Sequence, residues 1–163
     1  GVEVENVDSL LSSINWNWIS DGIPSKFHGD LQFENILHTD KNNFTLIDWR
    51  QDFSENVEYG DIYYDLAKLN GGINVSYHKI KQNLFSFKED SNEIIISTDL
   101  DSFLIKSKNI FNQFVERKKF DKIKINILTG IIFLNMAPMH HEPFNHFIYN
   151  LGKYTINKWI KLK

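Results

Sequence analysis

The sequence predicts a mostly α fold of the α+β class, helical with one or two small β-hairpins, and three observations lead there. Apolar residues recur at helical spacing over most of the chain. Breakers are scarce, 8 Gly and 3 Pro among 163 residues, which favours long elements over many short turn-linked strands. Paired apolar runs around Asp- and Asn-rich turns occur at two places only.

Val7, Leu10, Leu11, Ile14 and Trp18 fall at helical spacing and predict one opening amphipathic helix, with Asp8 and Ser9 as capping residues just inside its start and an end at Asp21-Gly22 before Pro24. Residues 35–39 and 44–48 flank Asp40-Lys41-Asn42-Asn43 and predict a hairpin, since Asp and Asn tolerate the positive φ of tight turns. Residues 61–69 read as a helix stopped by Gly71-Gly72. A second hairpin is predicted to join residues 84–88 to 93–97 through Asp90-Ser91-Asn92. Leu100, Phe103, Leu104, Ile110, Phe111, Phe114 and Val115 form the apolar face of a further helix. Residues 123–135 are apolar on nearly all sides and are expected at the centre. The last helix spans 144–161, with Phe147, Ile148, Leu151, Tyr154, Ile156 and Trp159 available for burial.

Composition excludes several function classes. With 42% hydrophobic and 24% charged residues the chain has a globular balance, not a disordered one. A net charge of −3 argues against nucleic-acid or acidic-membrane partners, and the basic cluster 117–124 reads as a solvated helix face. The absence of cysteine removes disulfides, cysteine zinc sites and thiol nucleophiles. No apolar run is long enough to span a bilayer and no signal pattern opens the chain, so a cytoplasmic protein is expected. The first residue is Gly1 and not methionine, so the natural start is expected upstream.

The stretch His28-Gly29-Asp30-Leu31-Gln32-Phe33-Glu34-Asn35, followed by Ile47-Asp48-Trp49, carries the chemistry. Phosphoryl transfer needs a carboxylate to take or orient the proton of the attacking hydroxyl, and hard oxygen ligands for the metal that neutralises the phosphates. A hairpin brings its open ends together, so Asn35 and Asp48 are expected as neighbours with Asp30 close by. Among alternative chemistries, His140-His141 with Glu142 lacks the i, i+4 spacing of a helix-borne zinc pair. Metal-dependent hydrolysis through His28, Asp30 and His38 lacks a second histidine at conventional spacing.

Three blocks stand in order: His28-Gly29-Asp30 with Asn35 five positions beyond the aspartate, then Ile47-Asp48-Trp49, then Gly60-Asp61 with Tyr64-Asp65-Leu66-Ala67. Together they resemble the aminoglycoside phosphotransferase and choline kinase superfamily, the small-molecule branch of the protein-kinase-like fold. The resemblance implies a single kinase-like C-lobe over residues 1–163, with the catalytic loop and metal-binding hairpin at 26–49 and a helical substrate region at 73–163. It implies transfer from ATP, with Mg2+, to a small-molecule hydroxyl: a sugar, an aminosugar or an amino alcohol such as choline. By the same resemblance Asp30 is the catalytic base, and Asn35 and Asp48 are the magnesium ligands. His28 braces the catalytic loop, and Asp65 is a buried aspartate holding that loop through its backbone amides. Gln32, Arg50 and Asp61 are possible phosphate or substrate contacts; Gln32 lacks the charge of the lysine that protein kinases carry there, and a solvated role for Arg50 stays open.

Relatives also have a β-rich N-terminal lobe that covers ATP. The 27 residues before His28 read as helix and no Gly-rich phosphate loop occurs, so that lobe is expected from elsewhere, in the same or another chain, and this piece alone is expected to be nearly inactive. Asp30 is then expected on a water-exposed face flanked by apolar surface. The alternative function is a non-catalytic binding or assembly domain built on a kinase-like C-lobe.

Overall fold

The computed structural model describes residues 1–91, 93–98 and 101–163. The order is α1 (Val7–Ser12), α2 (Trp16–Ser20), β1 (Pro24–Ser25), a 3-10 turn (Phe33–Asn35), β2 (Ile36–Asp40), β3 (Asn43–Leu46), β4 (Gly60–Asp61), α3 (Ile62–Asn74), α4 (Tyr77–Lys81), β5 (Phe85–Glu89), β6 (Ile94–Thr98), α5 (Ser102–Arg117), α6 (Lys122–Met136), a 3-10 turn (Ala137–Met139) and α7 (Phe144–Ile160). The strands pair antiparallel as β1–β4, β2–β3 and β5–β6. The protein is thus mostly helical with small antiparallel sheets, the α+β class that the sequence predicts. No helix among the described residues is long and apolar enough to cross a membrane.

The core is organised around α6, which buries Ile125, Ile127, Thr129, Ile132 and Phe133 on different sides. Towards α3 and α5 it packs with Tyr63, Leu66, Ile73, Phe111 and Val115. A second cluster joins Val75 and Phe133 to Phe144, Phe147 and Ile148 of α7, with Phe85, Phe87 and Ile96 of β5–β6 laid against it. The third seats Leu10, Ile14 and Ile19 on Ile127 and Ile156. Helices α6 and α7 touch backbone to backbone at Gly130 and Gly152: a Cβ on Gly130 would lie 2.6 Å from Ile156 Cγ1 and 3.0 Å from Gly152 O. Only hydrogen fits there.

Several elements differ from expectation. The opening helix is two helices, because Asn15 accepts a hydrogen bond from Trp18 N at 3.1 Å and starts a new helix where periodicity suggests continuation. The cap of α1 is Asn6, bonded to Ser9 N at 2.9 Å, and not Asp8 or Ser9. Helix α3 runs through Gly71 and Gly72 to Asn74. Gly71 faces the Phe133 ring, 3.2 Å from where a Cβ would stand, so the glycines permit close packing instead of ending the helix. On α5 only Leu104, Phe111 and Val115 are buried, while Phe103 and Ile110 are exposed. Leu100 of that predicted face and Asn92 of the second hairpin's turn lie outside the described residues. Lys124 of the basic cluster is buried, not solvated: its Nζ donates to Asp21 O and lies 4.7 Å from the Tyr63 ring and 5.4 Å from Trp18. It ties the end of α2 to α6.

Candidate functional site

Residues 26–35 form an irregular loop anchored at both ends. At one end β1 pairs with β4, Ser25 opposite Gly60, which places the loop beside the start of α3. At the other end the 3-10 turn Phe33–Asn35 feeds directly into β2. Four polar residues of this region, His28, Asp30, Asn35 and Asp65, are buried, and buried polar groups require partners.

The partners form one network. Asp65, in the first turn of α3, accepts from His28 N at 2.7 Å through Oδ2 and from Gly29 N at 2.8 Å through Oδ1. Gly29 has φ +79°, and a Cβ there would lie 2.6 Å from Arg50 Cβ, so glycine is required both by conformation and by space. His28 Nε2 lies 2.8 Å from Ile47 O and its Nδ1 lies 3.2 Å from Asp30 N. Since Asp30 N can only donate, and Ile47 O can only accept, the ring hydrogen sits on Nε2. Arg50 N donates to His28 O at 2.9 Å, and the Trp49 ring lies 4.8 Å from the His28 ring. The 28–30 loop and the 47–50 segment are thereby laced together.

Asn35 closes the arrangement. Its Nδ2 donates to Asp30 O at 2.9 Å and to Asp30 Oδ2 at 3.2 Å, and Ile47 N donates to Asn35 O at 3.0 Å. The hairpin therefore starts one residue later than predicted, with Asn35 in the 3-10 turn before it. Asp48 lies beyond the last strand residue at φ +59°, is exposed, and makes no side-chain hydrogen bond or ion pair among the described residues. With its nitrogen occupied, Asn35 retains its amide Oδ1. That oxygen and the Asp48 carboxylate are the hard donors available at the open end of the hairpin. Among the described residues no group of three His, Asp or Glu is placed to hold a metal ion. A magnesium ion carried by a polyphosphate does not need one, because one or two protein oxygens suffice.

Asp30 departs from the exposed face expected of it. It is 8% exposed, and Lys68 of α3 places Nζ 2.6 Å from its Oδ1. Sequence reasoning misses Lys68. The signal was available, since Lys68 lies three residues after Asp65 and so on the same face of one helix. Gln32 Nε2 approaches Asp30 Oδ2 at 3.4 Å. Asp61 is occupied structurally, capping α3 through Tyr63 N and accepting from Ile23 N, both at 3.0 Å. Arg50 is exposed, with its aliphatic stem over Gly29. Leu37, Phe44, Ile47 and Trp49 supply the exposed apolar surface of the hairpin and the segment after it.

Two tyrosines sense the Asp30 charge. Burial, and then Asp30, push the Tyr64 hydroxyl pKa up, with Arg50 opposing. Burial, then Glu34 and Asp30, push Tyr77 up further. Both stay protonated donors. A cavity of about 620 Å³ between α3 and α5, walled by Phe33, Leu69, Phe111 and Phe114 with Arg117 at its polar side, adjoins the loop. Away from this site, His146 Nε2 meets Glu142 Oε1 at 3.4 Å, and the His140 ring packs on Phe144 at 4.8 Å.

Comparison of the chain with models of known families, with curated proteins and with solved structures finds no match.

Proposed function

We propose that this chain is the catalytic, kinase-like C-lobe of a cytoplasmic, ATP- and magnesium-dependent phosphotransferase whose acceptor is the hydroxyl of a small molecule, a sugar, aminosugar or amino alcohol. The observation that carries the reading is the grip of the Asp65 carboxylate on the amides of His28 and Gly29. It gives the Asp30 loop one fixed shape beside Asn35, and catalysis of phosphoryl transfer is chiefly positioning and charge neutralisation.

In this reading the acceptor oxygen bonds to the γ-phosphorus while the bond to the β,γ-bridging oxygen breaks, its electron pair leaving with the nucleoside diphosphate. Asp30 takes the hydroxyl proton. Asn35 Oδ1 and the Asp48 carboxylate would hold magnesium, which would supply positive charge against the phosphate oxygens. His28, fixed by Ile47 O, keeps the loop and the 47–50 segment in register. Leu37, Phe44, Ile47 and Trp49 would pack under the β-rich lobe that covers the nucleotide. The acceptor falls to the helices after residue 73.

One observation favours the non-catalytic alternative: both Asp30 oxygens already have protein partners. Turnover decides between the two. The complete gene product, given ATP, magnesium and a panel of sugars, aminosugars and amino alcohols, is expected to release ADP only with a matching acceptor. Asp30→Asn is expected to slow that release by orders of magnitude while leaving a measurable residue. Nucleotide binding without transfer to any acceptor would favour the binding or assembly role.

A further inference from the structure

Every oxygen of the Asp30 carboxylate is held. Lys68 Nζ is 2.6 Å from Oδ1, while Asn35 Nδ2 at 3.2 Å and Gln32 Nε2 at 3.4 Å address Oδ2. A carboxylate oxygen accepts about two hydrogen bonds. The two amides therefore fill Oδ2, Lys68 takes one site on Oδ1, and a single acceptor site remains, on Oδ1 beside the ammonium. The Lys68 and Asp30 side chains are only 12% and 11% exposed. A buried ion pair of this kind adds little stability over an apolar pair of the same size, so stability alone does not call for it. Lys68 also stands one turn along α3 from Asp65, which holds the backbone of the same loop. One rigid helix thus fixes both the loop and the carboxylate that the loop carries.

We propose that Lys68 is a positioning residue of the transfer site, holding the Asp30 carboxylate so that one site on Oδ1 is presented to the acceptor hydroxyl; this rests on the phosphotransferase reading above. Lys68 acts through Asp30 and not on the nucleotide. Its loss frees the carboxylate to rotate without touching Asn35 Oδ1 or Asp48. Arginine in its place retains a cation within reach of Oδ1, whereas methionine keeps the stem and removes the charge.

The test is steady-state kinetics of the complete gene product as wild type, Lys68→Met, Lys68→Arg, Asp30→Asn and the Asp30→Asn/Lys68→Met pair. Lys68→Met is expected to lower kcat about 100-fold, the scale of an ångström of misplacement, with KM for magnesium-ATP and for acceptor within about two-fold of wild type. Lys68→Arg is expected to recover most of that loss. The double variant is expected to be no slower than Asp30→Asn, because the lysine has nothing left to position. If Lys68→Met does not fold, Lys68→Gln, whose neutral amide can still reach Oδ1, is expected to fall below Lys68→Arg in kcat with both KM values within about two-fold of wild type, and wild-type kcat in Lys68→Gln would overturn the role of Lys68. Wild-type kcat in Lys68→Met, a loss confined to KM, or additive losses in the double variant would overturn the role of Lys68 and leave the phosphotransferase reading standing. A wild-type protein that neither binds magnesium-nucleotide nor transfers phosphate would overturn both.

Discussion

Replacing Asp65 by alanine removes the acceptor of two hydrogen bonds at once, from His28 N at 2.7 Å and Gly29 N at 2.8 Å. Both are buried, so water does not substitute freely. A buried donor left without a partner costs about 1–3 kcal/mol, which puts the loss for Asp65→Ala at about 2–6 kcal/mol. That is a large share of the ~5–15 kcal/mol typical of a domain. Asp65→Asn keeps one carbonyl acceptor but turns an amide N–H towards the second donor, so it should lose about half as much. Urea unfolding followed by tryptophan fluorescence measures both, and the midpoints should order as wild type, Asn, Ala at constant slope. A loss below about 1 kcal/mol for Asp65→Ala would refute the claim that this carboxylate sustains the loop.

The other predictions are more local. Gly130→Ala, whose new methyl would lie 2.6 Å from Ile156 Cγ1, should destabilise the α6–α7 crossing by about 1–3 kcal/mol, visible as a lower urea midpoint. Asp48→Ala should weaken magnesium-ATP binding in calorimetry yet change stability by less than about 0.5 kcal/mol, because Asp48 is exposed and without protein partners among the described residues. Asp30→Ala should spare nucleotide affinity but cost about 3–5 kcal/mol by stranding Lys68, and Asp30→Asn less. Burial, and then His141, lower the His140 pKa below its usual value. That contribution to stability is therefore present above about pH 6.5 and is lost as pH falls towards the folded-state pKa. Urea midpoints measured across that interval should fall with acid, and His140→Gln should flatten the slope.

What could be read from the sequence was what depends on local pattern. The β2–β3 hairpin follows from two short apolar runs flanking Asp40-Lys41-Asn42-Asn43, and the central place of α6 follows from its lack of a polar face. Periodicity failed where a side chain competes with it, as Asn15 does by capping a second helix inside an apolar pattern that continues to Trp18. The reading of Gly71-Gly72 as a stop failed because contact with Phe133 outweighs a glycine's intrinsic helix cost of about 1 kcal/mol. At the site, residues 28–35 and 47–49 could be picked out by their types and order. The burial of Asp30 could not: Lys68 shares a helix face with Asp65, but its pairing with a carboxylate 38 positions earlier is a tertiary contact that no local pattern encodes. The same limit applies to Lys124, which sits in a basic run and is nonetheless buried against Tyr63 and Trp18.

The central claim is that Asn35 and Asp48 form one metal-nucleotide site next to Asp30. Manganese in place of magnesium makes that directly observable, since it broadens the resonances of nearby nuclei. Titrating the labelled protein with manganese-ATP is predicted to broaden the Asn35 side-chain amide and the backbone amides of Ile47 and Asp48 first, and to leave Asn150 and Asn157 on α7 unaffected. Broadening centred on α7 or on His140-His141, or none at nucleotide concentrations that saturate binding, would contradict the account.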